Sequence, residues 1–309
     1  MRGILEKYGT AIAGLVLVGF FAIAAPNFAA PNNLLNIAKE TSFLAIIAIG
    51  FTLALVTAEL DLSVADVASL AAVVTGALVH TGQPVVLAIA AGLGVGLLCG
   101  LVNGMAVTRL RVPSLIATLG MAAMARGFAF MLTDGVSYVG RWPAAFTDLA
   151  RGKPFGIPAL VLWMLGAVLF AFFLVKWTRM TATGEAGESA RLAGINIHAR
   201  KGIGLALSGL CAGLAAVLLT SSLSSAAPNM AGDYFLYAIA AVLLGMTINP
   251  GHANIPGTLV AALILKVLGN GLVLMGAAYY VQDIVLGFII IASVAVSSAV
   301  LKKAAFKFG

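Results

Sequence analysis

Long apolar runs, separated at short intervals by charged residues, proline and glycine, are the dominant pattern of the chain. A membrane-spanning helix needs about 20 mostly apolar residues, and the breaks divide the chain into about ten such pieces. They lie at 9–28, 34–58, 64–80, 84–107, 113–133, 156–177, 202–221, 234–248, 256–276 and 280–301. The pieces at 64–80 and 234–248 are short, so we expect either to be tilted, broken or re-entrant. The pattern predicts an all-α polytopic membrane protein in which residues 1–309 form a single domain.

The composition supports an integral membrane protein. Hydrophobic residues make up 61% of the chain and charged residues 9%, with a mean hydropathy of +1.08, whereas soluble domains are roughly 25% charged. The net charge of +7 does not indicate a nucleic-acid partner, because the cations lie where helices leave the membrane. Cys99 and Cys211 both lie inside apolar runs, where cysteine behaves as a small hydrophobe. We therefore expect neither a disulfide nor a metal site.

The positive charges also predict the orientation of the chain. Short cytoplasmic loops carry an excess of Lys and Arg. If both termini are cytoplasmic, twelve Lys and Arg residues lie on the cytoplasmic side and four lie outside. This orientation places residues 181–201 in the cytoplasm.

Residues 181–201 are the main polar segment of the chain, with two glutamates, two arginines, a histidine and a lysine between apolar runs. Residues from Glu188 to Ile195 predict a short helix that Gly194 interrupts or caps. A polar helix of about two turns, held between two spans, offers a rigid contact to a soluble partner. The alternative that stays open is an ordinary positively charged cytoplasmic loop.

The chain also repeats itself at one fixed offset. Asn103-Gly104 and Leu119-Gly120 recur as Asn270-Gly271 and Leu286-Gly287, and the shift along the chain is identical for both pairs. This shift equals five predicted spans, and an odd number of spans inverts the second copy. Inverted halves around a pathway at the membrane midplane are a common transporter architecture.

Charged side chains at the centre of a span cost about 2.5–3.5 kcal/mol each on insertion scales, so polar and ionisable residues within spans need an explanation. Ser63 and Asp66 have capping-box spacing and predict the start of a helix. Capping leaves Glu59 and Asp61 unexplained, and they either line a water-filled cavity or rest at the interface. The candidate residues for a translocation pathway are Glu59, Asp61, Ser63 and Asp233.

A second set of intramembrane polar residues is interpreted as structural: Arg126, Lys266, Asn103 and Asn270. Arg126 is expected to pair with a carboxylate or a backbone carbonyl. Lys266 lies near the middle of its span, although its long stem favours snorkelling. The runs of small residues at 91–96 and 207–213 predict close helix packing.

The sequence indicates no catalytic machinery. It has no cluster with metal-ligand spacing, no Ser/His/Asp set and no Walker-type glycine loop. We therefore expect no catalytic residue, no metal, no cofactor and no ATP hydrolysis by this polypeptide itself.

Five motifs resemble those of the ribose-type permease subunits of bacterial ABC importers, in order from about residue 40 to 295. They are Leu60-Asp61-Leu62-Ser63-Val64; Pro113 with Thr118-Leu119-Gly120 and Arg126-Gly127; Ala190-Arg191-Leu192-Ala193-Gly194-Ile195; residues 232–241; and Asn270-Gly271-Leu272. The chain departs from the family pattern in three places. Ala58-Glu59 replaces a glycine pair, and the run before the cytoplasmic segment is shortened. Residues 245–255 replace a glycine-rich run of the family, with glycine at Gly245 and Gly251.

The resemblance implies a non-catalytic permease subunit in the bacterial inner membrane that moves a small polar solute of the monosaccharide class by alternating access. It implies three partners: a separate ABC ATP-binding subunit, a periplasmic or lipoprotein solute-binding protein, and a second permease chain that is either a copy or a relative. The residues that it assigns to ATPase coupling are Glu185, Glu188, Arg191, Gly194 and Ile195.

Two other classes of protein are alternatives to this interpretation. An ion-coupled secondary carrier or facilitator, driven through Glu59, Asp61 or Asp233, explains the intramembrane acids but leaves residues 181–201 without a role. An intramembrane enzyme lacks any catalytic constellation.

Overall fold

A computed structural model describes residues 2–248 and 252–305 of the chain. Within them lie thirteen α-helices, one turn of 3-10 helix at Pro154–Gly156 and two short strands, β1 (Tyr138–Val139) and β2 (Ser225–Ala226). The helices are α1 (Arg2–Ala24), α2 (Pro31–Leu55), α3 (Val64–His80), α4 (Val85–Thr108), α5 (Ser114–Thr133), α6 (Ala144–Arg151), α7 (Ala159–Thr178), α8 (Met180–Glu185), α9 (Gly187–Leu192), α10 (Ile197–Leu223), α11 (Tyr234–Gly245), α12 (Ile255–Leu274) and α13 (Tyr279–Ala305). The predicted all-α polytopic class is confirmed.

Each of the ten predicted apolar pieces lies on a helix, and three short helices, α6, α8 and α9, come in addition. Six helices in the described ranges are long and apolar enough to cross a membrane on their own: α2, α4, α5, α7, α10 and α12. The helix α3 has 17 residues and α11 has 12. The count of ten spans therefore stays a prediction.

The short helix α11 begins inside the bundle. After α10, the chain forms β2 and then turns back between the helices, where the backbone N–H of Ala231 donates to the Ser69 hydroxyl at 3.1 Å. Ser69 lies within the first half of α3 and is fully buried. The first turn of α11 thus lies at the depth of α3, which agrees with the expected short or re-entrant piece.

The internal repeat extends over four consecutive helices. When α2 to α5 are moved along the chain by the shift of the repeated dipeptides, their bounds fall close to those of α10 to α13. The equivalent helices α2 and α10 pack against each other and run in opposite directions: Gly50 lies against Ser208, whereas Leu53 lies against Gly204. The predicted arrangement of two inverted halves is confirmed.

Glycine allows the closest helix contact in the bundle, between α4 and α10. A stripe at every fourth position of α4 faces α10, and it consists of Gly92, Gly96, Gly100 and Gly104. A Cβ atom at Gly96 would collide with the carbonyl oxygen of Gly209, and a Cβ atom at Gly209 would collide with that of Gly96. The backbones therefore touch directly, as the small-residue runs predict, because lipid offers no hydrophobic drive for helix association.

A small cap covers the end of the bundle where α3 and α10 finish. The strands β1 and β2 pair antiparallel, with Tyr138 opposite Ala226, and α6 inserts the fully buried ring of Phe146. The Ser221 hydroxyl on α10 donates to the Phe146 carbonyl at 2.7 Å. The cap fixes the connection between α5 and α7 to the end of α10.

Candidate functional site

Residues 181–201, which we call the coupling segment after the role that the resemblance predicts, form two short helices and the start of α10. The prediction of a short helix around Glu188 is confirmed, although α9 ends at Leu192, earlier than expected. The helix α8, which comes just before, was not predicted. Arg191 pairs with Glu188 at 2.6 Å on the exposed face of α9, and the adjacent Leu192 side chain is 82% exposed.

Gly194 ends α9, as expected. Its φ of 79° is in the left-handed region that glycine adopts without strain. The Gly194 N–H donates to the Arg191 carbonyl, and the Ile195 N–H donates to the Ala190 carbonyl, both at 3.0 Å. This pair of bonds is the Schellman motif, which satisfies the last carbonyls of a helix. The Asn196 side chain then accepts the Ala199 N–H at 3.0 Å and caps α10.

The coupling segment contacts one connection between helices in each half of the bundle. Gly184 approaches the Val56 carbonyl so closely that a Cβ atom would collide with it, and Val56 belongs to the turn between α2 and α3. Glu185 lies 2.7 Å from His252 Nδ1, in the connection that leads into α12. A shift of α8 would therefore act on both inverted halves.

A third contact joins α10 to the turn between α2 and α3. The Lys201 ammonium lies 2.6 Å from the Glu59 carboxylate, which is buried. The neighbouring Ala58 has a φ of 60°, in the left-handed region, at a position where the sequence departs from the glycine pair of the resembled family. Glu59 thus holds the coupling segment to the bundle.

Asp61 and Ser63 form a buried network. The Asp61 carboxylate accepts the Ser63 N–H at 3.0 Å and the Ser63 hydroxyl at 2.5 Å, and Asn103 on α4 donates to the Ser63 hydroxyl at 3.0 Å. The second Asp61 oxygen is buried without a hydrogen-bond partner in the described residues. Asn103 therefore has a structural contact.

The predicted capping box between Ser63 and Asp66 is wrong. Ser63 occupies the N-cap position of α3, but its side chain makes no capping hydrogen bond. Its hydroxyl bonds Asp61 instead, and Asp66 is drawn to Arg126 on α5. Tertiary partners have overridden the local motif.

The Asp66–Arg126 pair lies at a cavity of about 720 Å³ between α3, α5 and α11. Arg126 donates from Nε and Nη2 to the two Asp66 oxygens at 2.9 and 3.1 Å, a bidentate geometry that is typical of strong Arg–carboxylate pairs. Arg126 thus has the carboxylate partner that was one of its two expected structural contacts. Asn229 and Asp233 line the same cavity.

The four predicted pathway residues are therefore not brought together. Glu59, Asp61 and Ser63 are buried in the packed turn before α3, whereas Asp233 is exposed at the cavity. The pathway role of these residues stays a prediction. Sequence reasoning missed Asn229, since a single asparagine in a loop carries no signal, and it assigned Asp66 to a cap.

Lys266 and Asn270 occupy a second polar region, on α12. The Lys266 ammonium lies 5.1 Å from the centre of the Tyr237 ring, 5.2 Å from that of Tyr234 and 3.9 Å from the Glu40 carboxylate. Asn270 exchanges two hydrogen bonds of 2.9 Å with Asn33. Both residues thus have the protein partners that a structural role requires.

No group of His, Cys, Asp and Glu side chains in residues 2–248 and 252–305 has the arrangement of a metal site. The polar chemistry of the described bundle is thus that of carboxylates, amides, hydroxyls and cations, among them Arg126 on α5 and Lys266 on α12. It can bind and position polar groups.

Comparison with known proteins identifies the relatives of the chain. Residues 33–294 match the family described as "Branched-chain amino acid transport system / permease component". The chain is 39% identical to the ribose import permease protein of Escherichia coli (strain K12), covering 95% of this chain and 94% of that protein. It is 34% identical to the ribose import permease protein of Bacillus subtilis (strain 168), over 94% and 92% of the two chains.

A third relative, the L-arabinose ABC transporter permease protein of Azospirillum brasilense, is 32% identical over 94% of this chain and 87% of its own length. No solved structure matches the chain. The family match covers most of the chain, and all three relatives align with it over nearly their whole lengths. The chain therefore belongs to the family of branched-chain amino acid transport system permease components, among sugar importer permeases.

Proposed function

We propose that the chain is the membrane-spanning subunit of an ATP-driven importer that moves a monosaccharide into the cytoplasm. The observation that carries the proposal is similarity over nearly the full length to ribose and arabinose permeases. The family description names branched-chain amino acids, but the individual relatives with high coverage are sugar permeases. We therefore take a pentose as the first substrate to test.

The coupling segment is the docking site for a separate ATPase. Its exposed surface carries the Glu188–Arg191 pair and the apolar Leu192 side chain. Both lie on α9, whose C-terminal end is fixed by the Schellman motif at Gly194. Gly184 contacts the turn between α2 and α3, and the half-exposed Glu185 contacts His252 in the connection that leads into α12. An ATPase that pushes on α9 would move rigid helices against each other, which is how small shifts at an effector site become alternating access.

The orientation follows from the cation distribution, with both termini in the cytoplasm. The working assembly contains a second permease chain, because a pathway needs a wall opposite the exposed polar face of α5 and α11. A solute-binding protein delivers the sugar from the other side of the membrane.

Docking is tested by co-purification of the ATPase with the permease. The double variant Glu188→Ala, Arg191→Ala removes the polar face of α9, and Gly194→Val strains its end, since a β-branched residue resists a φ of 79°. Both should weaken recovery of the ATPase, whereas Lys153→Ala in the connection between α6 and α7 should not. Equal recovery of the ATPase with the parent and all variants would show that the coupling segment is an ordinary charged loop.

Orientation is tested by labelling with a membrane-impermeant thiol reagent. Ser189→Cys on α9 should react only after the cells are permeabilised. Ala145→Cys on α6 should react in intact cells with reagent added outside. Labelling of Ser189→Cys in intact cells would contradict the docking of a cytoplasmic ATPase.

A further inference from the structure

The cavity between α3, α5 and α11 is lined by the carboxylate of Asp233, which has no structural contact among the described residues. Asp233 precedes α11 at the N-cap position, yet its side chain makes no capping hydrogen bond. It takes part in none of the ion pairs found among residues 2–248 and 252–305. Asn229 lies four residues earlier at the same cavity and is also exposed.

This polar surface cannot face lipid. The Arg126 side chain is 60% exposed, although it lies seven residues before the end of α5, about 10 Å along the helix axis. Charged side chains at that depth face a water-filled space or another protein, because exposure to hydrocarbon is costly. The cavity therefore opens toward water or toward a neighbouring chain.

The repeat makes Asp233 the counterpart of Asp66. The shift from Asp66 to Asp233 is the one that relates α2–α5 to α10–α13, and each aspartate stands at the start of a short central helix. Both line this cavity. Asp66 is neutralised by the bidentate contact with Arg126. Its counterpart has no ion pair within the described ranges and can accept hydrogen bonds from a ligand.

The lining has the chemistry of a site for a polyhydroxyl ring. A carboxylate accepts hydrogen bonds from adjacent hydroxyls, and an amide both accepts and donates them. Phe130 and Phe235 add apolar surface for the ring face. A volume of about 720 Å³ lies in the range of small-molecule sites. Arg126 is already paired with Asp66, so the described lining offers no unpaired cation for the carboxylate of an α-amino acid.

We propose that this cavity is a binding site for one cyclic polyhydroxyl solute on its way across the membrane. Asp233 and Asn229 are the groups that bind its hydroxyls. The proposal rests on the proposed function as a monosaccharide importer. The second permease chain covers the open side of the cavity, so the site is complete only in the assembled transporter.

The first test measures uptake of labelled D-ribose by the reconstituted transporter with its ATPase and binding protein. Asp233→Ala should lower the rate at saturating binding protein about tenfold, and Asn229→Ala should lower it severalfold. Asp283→Ala, which removes an exposed carboxylate near the start of α13 away from the cavity, is the matched control and should stay within twofold of the parent. A rate for Asp233→Ala equal to that of this control would overturn the site.

The second test separates ligand contact from a structural role. In a chain with Cys99→Ala and Cys211→Ala, Asn229→Cys should react with a small polar thiol reagent, and D-ribose in excess should slow the reaction. L-leucine at the same concentration should not slow this reaction. The rate at which Ser137→Cys, just before β1, is labelled should be unchanged by either solute. An Asn229→Cys variant that never reacts, or reacts equally with and without D-ribose, contradicts the proposal.

The two proposals fail in different ways. If the parent transports D-ribose with ATP but Asp233→Ala does so equally well, the importer stands and the site is wrong. If D-ribose protects Asn229→Cys but the parent shows no ATP-dependent uptake, the site stands and the importer is wrong.

Discussion

A single methyl group at Gly96 should push α4 and α10 apart. In Gly96→Ala, the new Cβ atom would collide with the Gly209 carbonyl oxygen and lie 2.8 Å from the Gly213 nitrogen and 2.9 Å from its Cα. Ordinary carbon contacts are about 3.5–4.0 Å. All three opposing atoms belong to the backbone, so no side chain can rotate away and the helices must separate by about 1 Å to restore ordinary contacts.

The magnitude follows from two opposing effects. Overpacking of a well-packed contact costs about 1–3 kcal/mol, and the loss spreads along the glycine stripe because rigid helices move as units. Alanine recovers about 1 kcal/mol of helix propensity over glycine. We expect a net loss of about 0–2 kcal/mol in the free energy of unfolding, and a loss of about 1–3 kcal/mol relative to an alanine at a glycine of α4 that makes no such contact.

Gly94→Ala is the matched control, because it lies on the same helix and a Cβ atom there meets nothing within 4 Å. It should be neutral or stabilising by up to about 1 kcal/mol. The assay is thermal unfolding of the detergent-solubilised chain, followed as the fraction that stays monodisperse after heating. A Gly96→Ala midpoint at or above that of Gly94→Ala would refute direct backbone contact between α4 and α10.

Three further predictions concern the contacts of the coupling segment and are checked in the same unfolding assay. Ala58→Gly should stabilise the chain by about 1 kcal/mol, because it relieves a non-glycine residue at a φ of 60°; a lower midpoint would contradict strain there. Glu59→Gln should destabilise it by about 2–3 kcal/mol, because the Lys201 ammonium at 2.6 Å loses its counter-charge, and adding Lys201→Met should recover part of that loss. His252→Ala should change stability by less than about 1 kcal/mol, because its pair with Glu185 is half exposed; a larger loss would give this contact a structural role.

Hydropathy predicted the long helices well, because a helix that crosses lipid needs a long apolar run regardless of which other helices it packs against. The same criterion did not find α6 and α8, which have only eight and six residues and are held by tertiary contacts such as the buried Phe146. The offset between the halves was visible in two dipeptides, and it extends to four helices because each half folds as one unit.

The polar site was predicted only in part. Gly194 was identifiable because one backbone conformation demands glycine, and Arg126 because a cation in a span needs a partner. The partner itself, Asp66, lies 60 residues away, and local spacing favoured a cap that the structure does not form. The Glu59–Lys201 pair was not predicted, because the sequence gives no sign that Lys201 reaches Glu59.

The most direct measurement of the central claim is solute uptake into proteoliposomes that contain the permease, its ATPase and its binding protein. We expect labelled D-ribose to accumulate only with ATP and the ATPase present, and we expect Glu188→Ala combined with Arg191→Ala to abolish this ATP-dependent uptake. Uptake that follows a proton or sodium gradient without the ATPase would contradict the account and identify an ion-coupled carrier.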